Sequence, residues 1–527
     1  MSSRQQLWTL LGIVGLAAVL RLVVAGHDGL WADEVFSIAI ATGHSLEHPA
    51  AAARPERGDF VEPDHAVPPE EFRKYLKHDS PLESPARVVR ATLLSDTSPP
   101  VYYLLLYAWT LLAGTSDIAL RSLSIFFSLL CLPLLVLIAR QVAGSGTSFA
   151  SAVLFACSPL AIYYSTEGRM YSLVWLCVLA TIWVSLVLHQ RGGGIGFAAL
   201  WVVTSAAGFL THYFFLFPWL ATVAFLVICP GKFERRRLFG CILLTGLAIL
   251  PWYLMLPQSL NGWRVTQGWL KMEPGGFHRW RETRNFFLQF FLARGPDLTR
   301  IEKWSSRIAL ALFAAIAAMA AWRLRLRMFT QYQIMLLLVF LSASAGPIVV
   351  DFIQHTYLVA KPRYSIAALP AAYLLAAVAL GWLHSRARMA ILALIVCAWI
   401  PSIVSIYHSR VPWLPMRKIA RAASDNCRAT DLILVHSIPS GVLSIARYAD
   451  GPVAIASWIG QLKNRHMPES LQQLVHGRTA IVFVKVHDVG EPAPEEAWLR
   501  NNSALLNEKH FEMGTVSDFR PKGMDTF

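Results

Sequence analysis

The sequence predicts an α-helical polytopic membrane protein of about eleven transmembrane helices with a small C-terminal extracytoplasmic α/β domain. Three observations carry this. First, 55% of the 527 residues are hydrophobic, only 15% are charged, and mean hydropathy is +0.46, whereas a soluble domain carries about 25% charged residues. Second, apolar runs long enough to cross a bilayer core, which takes about 20 helical residues, recur up to about position 410. Third, the texture after Trp413 changes to short β-branched runs separated by helix-like stretches. Together these exclude a soluble, disordered or fibrous chain.

The first run, about Leu7 to Ala25, is as long as a full span and lacks a small-residue cleavage site, so it reads as a retained helix rather than a signal peptide. Further spans are expected at roughly 118–139, 147–164, 169–188, 196–212, 213–230, 237–257, 307–322, 331–350, 364–383 and 389–408. Residues 100–113 are apolar but short. Counting them as a span would place Arg140 opposite the other loop cations, so they read as a re-entrant or interfacial helix.

With these spans, Arg4, Arg140, Arg191, the run Lys232/Arg235/Arg236/Arg237, the run Arg323/Arg325/Arg327 and the pair Arg386/Arg388 fall on one side. The positive-inside rule makes that side cytoplasmic, together with the N-terminus. The transmembrane domain is then 1–410, with external loops 26–117 and 258–306, and the extracytoplasmic α/β domain is 411–527.

The net charge is +14. In a membrane protein this reflects cytoplasmic loops and anionic lipid, not a nucleic-acid partner. The 258–306 loop adds an external excess, with Arg264, Lys271, Arg279, Arg281, Arg284, Arg294, Arg300 and Lys303 against Glu273, Glu282, Asp297 and Glu302. The centre of the first loop, residues 44–90, is polar and reads as mobile. Its histidines His44, His48, His65 and His78 lack metal-site spacing. Six of seven Cys lie in apolar runs and Cys427 stands apart, so no disulfide framework is expected. In the C-terminal part, DLILVHS (431–437), VAIASWI (453–459) and TAIVFVKVH (479–487) read as strands, and 460–475 and 494–507 as helical.

Five motifs carry candidate chemistry. LWADEVFS (30–37) sets Asp33 and Glu34 just after the first span, where they also suit a plain helix start. SDTSPPVYYLLLYAW (95–109) sets Asp96 before a Pro pair and Tyr102 just after it. A capped helix with Pro in its first turn explains the prolines but not the Tyr pair. YYSTEGRMYSL (163–173) holds Glu167 and Arg169 in a short external connection, where the two can simply pair. His212 in THYFF lies at an outer helix end. VAKPRYSIAALP (359–370) places Lys361, Arg363 and Tyr364 at the outer mouth of a span, where the cations can snorkel or grip a phosphate. All five fall on one face. Acids and cations at a lipid surface suit transfer from a lipid-phosphate donor: cations stabilise the leaving phosphate, and one carboxylate serves as base on an acceptor hydroxyl.

Taken together, the five motifs resemble those of GT-C-type polytopic glycosyltransferases, in particular the bacterial relatives of dolichyl-phosphate-mannose protein mannosyltransferases (glycosyltransferase family 39 and the lipopolysaccharide-modifying transferases). The resemblance covers roughly residues 7–410. It implies a polyprenyl-phosphate sugar donor, a glycolipid or protein acceptor and a site at the outer face of the bacterial inner membrane. It implies Asp33 as catalytic base, Glu34 as its support or an acceptor contact, Asp96 as a second acidic position, and Pro362, Arg363 and Tyr364 near the lipid phosphate. Relatives often carry Lys or His before the Pro pair, where this chain has Ser98. The missing cation then falls to Lys361, Arg363 or the basic loop. Asp33, Glu34 and Asp96 have the oxygen ligands a divalent cation takes, but the relatives work without one, so no cofactor is expected. A lipid or solute transporter would share the many helices but usually shows repeated halves, and none is visible.

Overall fold

The computed structural model of the chain describes all residues except 1, 48–52, 97, 262–268, 292–298, 326–328, 410–413, 426, 488–492 and 523–527. His48, Arg264, Arg294, Asp297, Arg327 and Trp413 therefore lie outside the described residues. The chain divides into two units, one of residues 1–26, 121–255 and 268–408, the other of residues 27–120, 256–267 and 409–527.

The first unit is helical, and every expected span contains a helix. Among the described residues, seven helices are long and apolar enough to cross a bilayer: Ser3–His27, Asp117–Val142, Tyr171–Arg191, Arg235–Pro257, Arg300–Arg325, Gln331–Gln354 and Ser385–His408. The chain is thus a multi-pass membrane protein. The expected span 147–164 is a pair, Ser148–Cys157 and Pro159–Ser165, bent by 65°. The expected spans 196–212, 213–230 and 364–383 are shorter helices, Ile195–Phe209, Tyr213–Ile228 and Ile366–Leu380. Length alone therefore supports seven or eight of the eleven spans. Extended backbone at His212 separates two of the short helices, and a 3-10 turn at Pro362–Tyr364 precedes the third.

The bent pair shows how the unit satisfies its backbone. Pro159 has no N–H to give Phe155, and the bend opens the ladder there. The buried Arg21 fills the gap, donating from Nη2 to the Phe155 carbonyl at 3.1 Å and from Nη1 to the Ala156 carbonyl at 3.0 Å. Ser158 restarts the helix by accepting from the Ala161 N–H. An arginine inside an apolar helix is costly unless satisfied in this way.

Arg140 and Lys232, two of the cations expected on one side, lie where helix ends of this unit meet. Arg140 donates to Gln6, Gln333 to the Val142 carbonyl, and the Lys232 N–H to the His189 carbonyl. These contacts gather the ends of four helices and the 229–235 turn, because each connection is short and each helix reverses direction.

The second unit is built on a five-stranded sheet. Its strands are β1 (Leu432–His436), β2 (Ala454–Trp458), β3 (Ile481–Val486), β4 (Ser503–Phe511) and β5 (Gly514–Pro521), in the order β2-β1-β3-β5-β4. The first three are parallel and are the predicted ones. Every residue of β1 is buried, as a strand covered on both faces requires. Leu432, Leu434, Ile481 and Phe483 pack under Leu471, Leu474 and Leu499. On the other face lie the helices Met416–Ser424 and Pro439–Tyr448.

Two expectations here are corrected. The helix at 494–507 ends at Asn502, and residues 503–511 form β4, which pairs with β5 in an antiparallel hairpin. The stretch Ala-Leu-Leu-Asn-Glu-Lys favours helix locally, and pairing with β5 overrides that preference. Gly514 starts β5, where a Cβ would come within 2.9 Å of Val486. The helix expected at 460–475 is a 3-10 turn at Gly460–Leu462 and a short helix at Glu469–Val475.

The described part of residues 44–90 is not a mobile strap but a packed element. Phe60, Phe72 and Tyr75 are buried and pack edge and face on one another. Buried Asp59 takes a bidentate pair from Arg90 at 2.6 and 2.7 Å. Val67 exchanges both backbone hydrogen bonds with Ile455, so the loop extends the sheet beyond β2. Buried Glu62 accepts from the Ile459 N–H and from Asn464, and Arg465 donates to the Ser457, Pro63 and Asp64 carbonyls. The first loop and the C-terminal segment therefore fold as one unit.

Candidate active site

In the second unit, Asp33 and Glu34 are the second and third residues of the helix Ala32–Ala41. Glu34 is fully buried, and its Oε2 accepts the Trp31 N–H at 3.3 Å, which satisfies a free donor of the helix start. Asp33 differs: it is the one residue of this ten-residue helix that is not buried. Two adjacent acids thus divide into a buried one that holds the helix start and one that is partly exposed. The helix packs against Pro85–Ser95, Val101–Ala113 and Pro439–Tyr448.

Asp96 follows the Pro85–Ser95 helix. Its Oδ1 accepts the Ser98 N–H at 2.8 Å and its Oδ2 the Tyr103 hydroxyl at 2.5 Å. Tyr102 and Tyr103 are both fully buried, ring edge to ring face. The acid therefore ties the Pro pair to the Tyr pair, and the helices bearing Asp33 and Asp96 are in contact.

The entry into LWADE is fixed from the C-terminal segment. Asp117 accepts from Arg417 at 2.6 Å, from Arg447 at 2.7 and 2.9 Å and from the Tyr448 hydroxyl at 2.7 Å. The Tyr448 oxygen in turn accepts the Leu30 N–H at 2.6 Å. Gly29 leaves room for this, since a Cβ there would meet Arg417 and Tyr448 at 2.9 Å.

In the first unit, the other three motifs meet at the end opposite the loop cations. Tyr163, Tyr164 and Tyr171 form an edge-to-face series, continued by His212, Phe214 and Tyr364 at centroid separations of 5.5–6.4 Å. The Arg363 guanidinium lies 5.5 Å over Tyr364. Glu167 and Arg169 are buried, and Ser124 donates to the Arg169 carbonyl. His212 Nδ1 accepts the Phe214 N–H at 3.2 Å, so one ring nitrogen is spent on a local turn. Asp351 accepts from the Thr356 hydroxyl and from the Leu358 and Val359 N–H groups. It thereby shapes the turn that leads into Lys361, Pro362, Arg363 and Tyr364. Among the described residues, no group of three His, Cys, Asp or Glu is gathered to hold a metal ion. His44, His65 and His78 instead pair with Asp79, Asp64 and Glu83.

Comparison with known proteins follows this geometry. Residues 97–254 match the family model of dolichyl-phosphate-mannose-protein mannosyltransferase. A comparison with curated protein sequences finds no significant match. The crystal structure of ArnT from Cupriavidus metallidurans bound to undecaprenyl phosphate superposes with a TM-score of 0.59 at 13% identity, over 97% of this chain and 98% of that one. Apo ArnT gives 0.57 at 12% identity, over 98% of each.

The chain has the ArnT fold. It is a polytopic fold of GT-C type carrying a small C-terminal sheet. Within it, Asp33, Glu34, Asp96 and Tyr102 lie in one unit, and Arg169, His212, Lys361, Arg363 and Tyr364 in the other. Sequence reading missed Asp117, Arg447 and Tyr448 at the entry to the ArnT-fold acid helix. Each is one polar residue in a C-terminal segment or helix start, and no spacing marks it.

Proposed function

We propose that the chain is an inverting membrane glycosyltransferase that moves a sugar from a polyprenyl-phosphate donor to a hydroxyl of an envelope glycolipid or protein. The observation that carries this reading is the division between the two adjacent acids: Glu34 is buried and accepts a hydrogen bond at the helix start, and Asp33 alone of its helix is partly exposed. The mannosyltransferase match over 97–254 and the ArnT fold, seen with undecaprenyl phosphate in that protein, support the donor class.

Asp33 acts as base. Its carboxylate takes the acceptor proton as the acceptor oxygen bonds to the anomeric carbon, and the bond to the donor phosphate breaks on the opposite face. Arg169, Lys361 and Arg363 stabilise the phosphate that leaves. Asp96 and Tyr102 shape the acceptor side. The membrane is the bacterial inner membrane, with the N-terminus cytoplasmic and the C-terminal segment (411–527) outside; the loop cations gathered at one end of the first unit support this orientation.

The test is sugar transfer in membranes supplied with the polyprenyl-phosphate sugar fraction of the native cells, followed by mass spectrometry of the glycolipid and glycoprotein products. Asp33→Asn, inserted at wild-type level, is expected to lose about 100-fold or more in rate. Wild-type transfer by this variant would remove Asp33 as base.

A further inference from the structure

The transfer step leaves the basic excess of residues 258–306 unused. Orientation does not call for it either, because the positive-inside rule governs short loops. The described part of this loop is a fixed element of the first unit. The Leu270 carbonyl accepts the Tyr357 N–H at 2.9 Å, and Phe277 packs edge-on against the Tyr357 ring at 4.8 Å. Further along, Gln289 donates to the Ser365 hydroxyl, and the Phe290 and Phe291 carbonyls accept from Tyr373 at 2.8 Å and from Trp399 at 3.2 Å. The helix Arg279–Leu288 lies between these ties. It is therefore held at the end of the unit that carries Tyr364.

One contact sets its level in the bilayer. The Arg279 guanidinium lies 5.1 Å over the ring of Phe352. Phe352 and Ile353 are exposed and stand in the last turn of the span Gln331–Gln354. Their side chains face acyl chains, so Arg279 sits where those chains meet the headgroups. The next residue, Trp280, is 72% exposed, and an indole at this level suits the membrane interface. The pattern recurs at the start of the span Arg300–Arg325. Trp304 is 60% exposed, and the Arg307 guanidinium lies 4.7 Å over its ring. Arg323 and Arg325, expected to be cytoplasmic, stand at the other end of that helix.

Charge selects the occupant. Residues 271–284 hold Lys271, Arg279, Arg281 and Arg284 against Glu273 and Glu282. Both acids are engaged: Glu273 accepts the Tyr357 hydroxyl at 3.2 Å, and Glu282 pairs with Arg281 at 3.0 Å. Glu302 likewise accepts from the Thr299 N–H and hydroxyl. Among the described residues, no acid pairs with Arg279 or Arg307, and both are exposed. A guanidinium makes charge-assisted, often paired bonds to phosphate oxygens while stacking on an aromatic ring.

We propose that two cation–aromatic pairs, Arg279 with Trp280 and Arg307 with Trp304, form a binding surface for anionic phospholipid headgroups. The guanidinium groups hold the lipid phosphates, and the indoles lie beside them at the boundary with the acyl chains. The proposal does not rest on the glycosyltransferase reading.

The test maps the lipid directly. The full-length protein is reconstituted in phosphatidylcholine vesicles that contain photoactivatable phosphatidylglycerol, or phosphatidylcholine with the same label. Labelled peptides are then located by mass spectrometry. Phosphatidylglycerol is expected to label residues 269–288 and 299–308 several-fold more than phosphatidylcholine does. Arg279→Gln should lower labelling of 269–288 about fivefold, the weight of one cation at an anionic surface, and leave 299–308 unchanged. Arg307→Gln should do the reverse. Arg279→Lys keeps the charge and should keep most of the labelling, and melting midpoints should stay at the wild-type value in all three.

Equal labelling by the two lipids, or undiminished labelling in the Gln variants, would overturn the proposal. A Lys variant as weak as Gln, or a loss of labelling that tracks a fall in midpoint, would mark a packing role and overturn it too. Displacement of the phosphatidylglycerol label by a trace of undecaprenyl phosphate would assign the surface to a polyprenyl-phosphate lipid instead.

Discussion

Replacing Asp117 by Asn should unlock the entry into the acid helix, and the geometry sets the size of the effect. The carboxylate is only 11% exposed and takes charge-assisted bonds from Arg447, whose side chain is 16% exposed, and from Arg417, at 29%. Asn keeps the shape but leaves both guanidinium groups without a counter-charge. Removing one partner of a buried pair costs about 3–5 kcal/mol. Partial hydration of Arg417 brings the expectation to the low end, about 3 kcal/mol. For a folding unit of this size that corresponds to a fall of about 6–12 °C in the melting midpoint. Tyr448→Phe removes one bond to Asp117 and leaves the Leu30 N–H without its acceptor, which costs about 1–3 kcal/mol. Because the two changes share the Tyr448–Asp117 bond, the double variant should lose less than the sum. Intrinsic fluorescence melting in detergent, at fixed protein concentration, reads all three. An Asp117→Asn midpoint within about 2 °C of wild type, or strict additivity, would refute the reasoning.

Other tests address acid, donor and metal. His44 is buried against Tyr75 and Asp79, and burial lowers its pKa to about 4. The unfolded chain then takes up a proton near pH 6.5 that the folded chain refuses until about pH 4. Stability should therefore fall as pH falls through that window, by at most about 3 kcal/mol from this residue. In His44→Gln the melting midpoint should decline less steeply with acid, and an unchanged slope would count against the assignment. Arg363→Ala should raise the donor concentration needed for half-maximal transfer about tenfold or more, with the melting midpoint kept; unaltered donor dependence would free Arg363 of the phosphate. Transfer should persist after EDTA treatment, and loss restored by magnesium or manganese would assign a metal to the acidic cluster.

Much of the fold was legible because a bilayer imposes a one-dimensional rule: apolar length decides which segments form helices, and short basic connections decide which ends lie together. That rule located a helix in every expected span and gathered Arg140, Lys232 and their neighbours at one end. The three predicted β-branched runs became β1, β2 and β3, because parallel strands buried on both faces must be apolar throughout. The motifs also named the acid helix and the aromatic series through His212 and Tyr364.

Tertiary structure alone decided the rest. Three expected spans proved short because breaks such as the extended residue at His212 divide apolar sequence that hydropathy reads as continuous. The loop 44–90 looked mobile because its cohesion comes from long-range pairs, Asp59 with Arg90, Val67 with Ile455 and Glu62 with Asn464, whose partners lie up to 402 residues away. Local composition favoured helix over 503–507, and the hairpin with β5 prevailed. The difference between Asp33 and Glu34 is likewise invisible in the sequence, which shows two adjacent carboxylates. Helix rotation against its neighbours turns one inward and leaves the other partly exposed. A sequence records which groups are present and their local periodicity. Burial and the pairing of distant polar groups arise only when the elements pack.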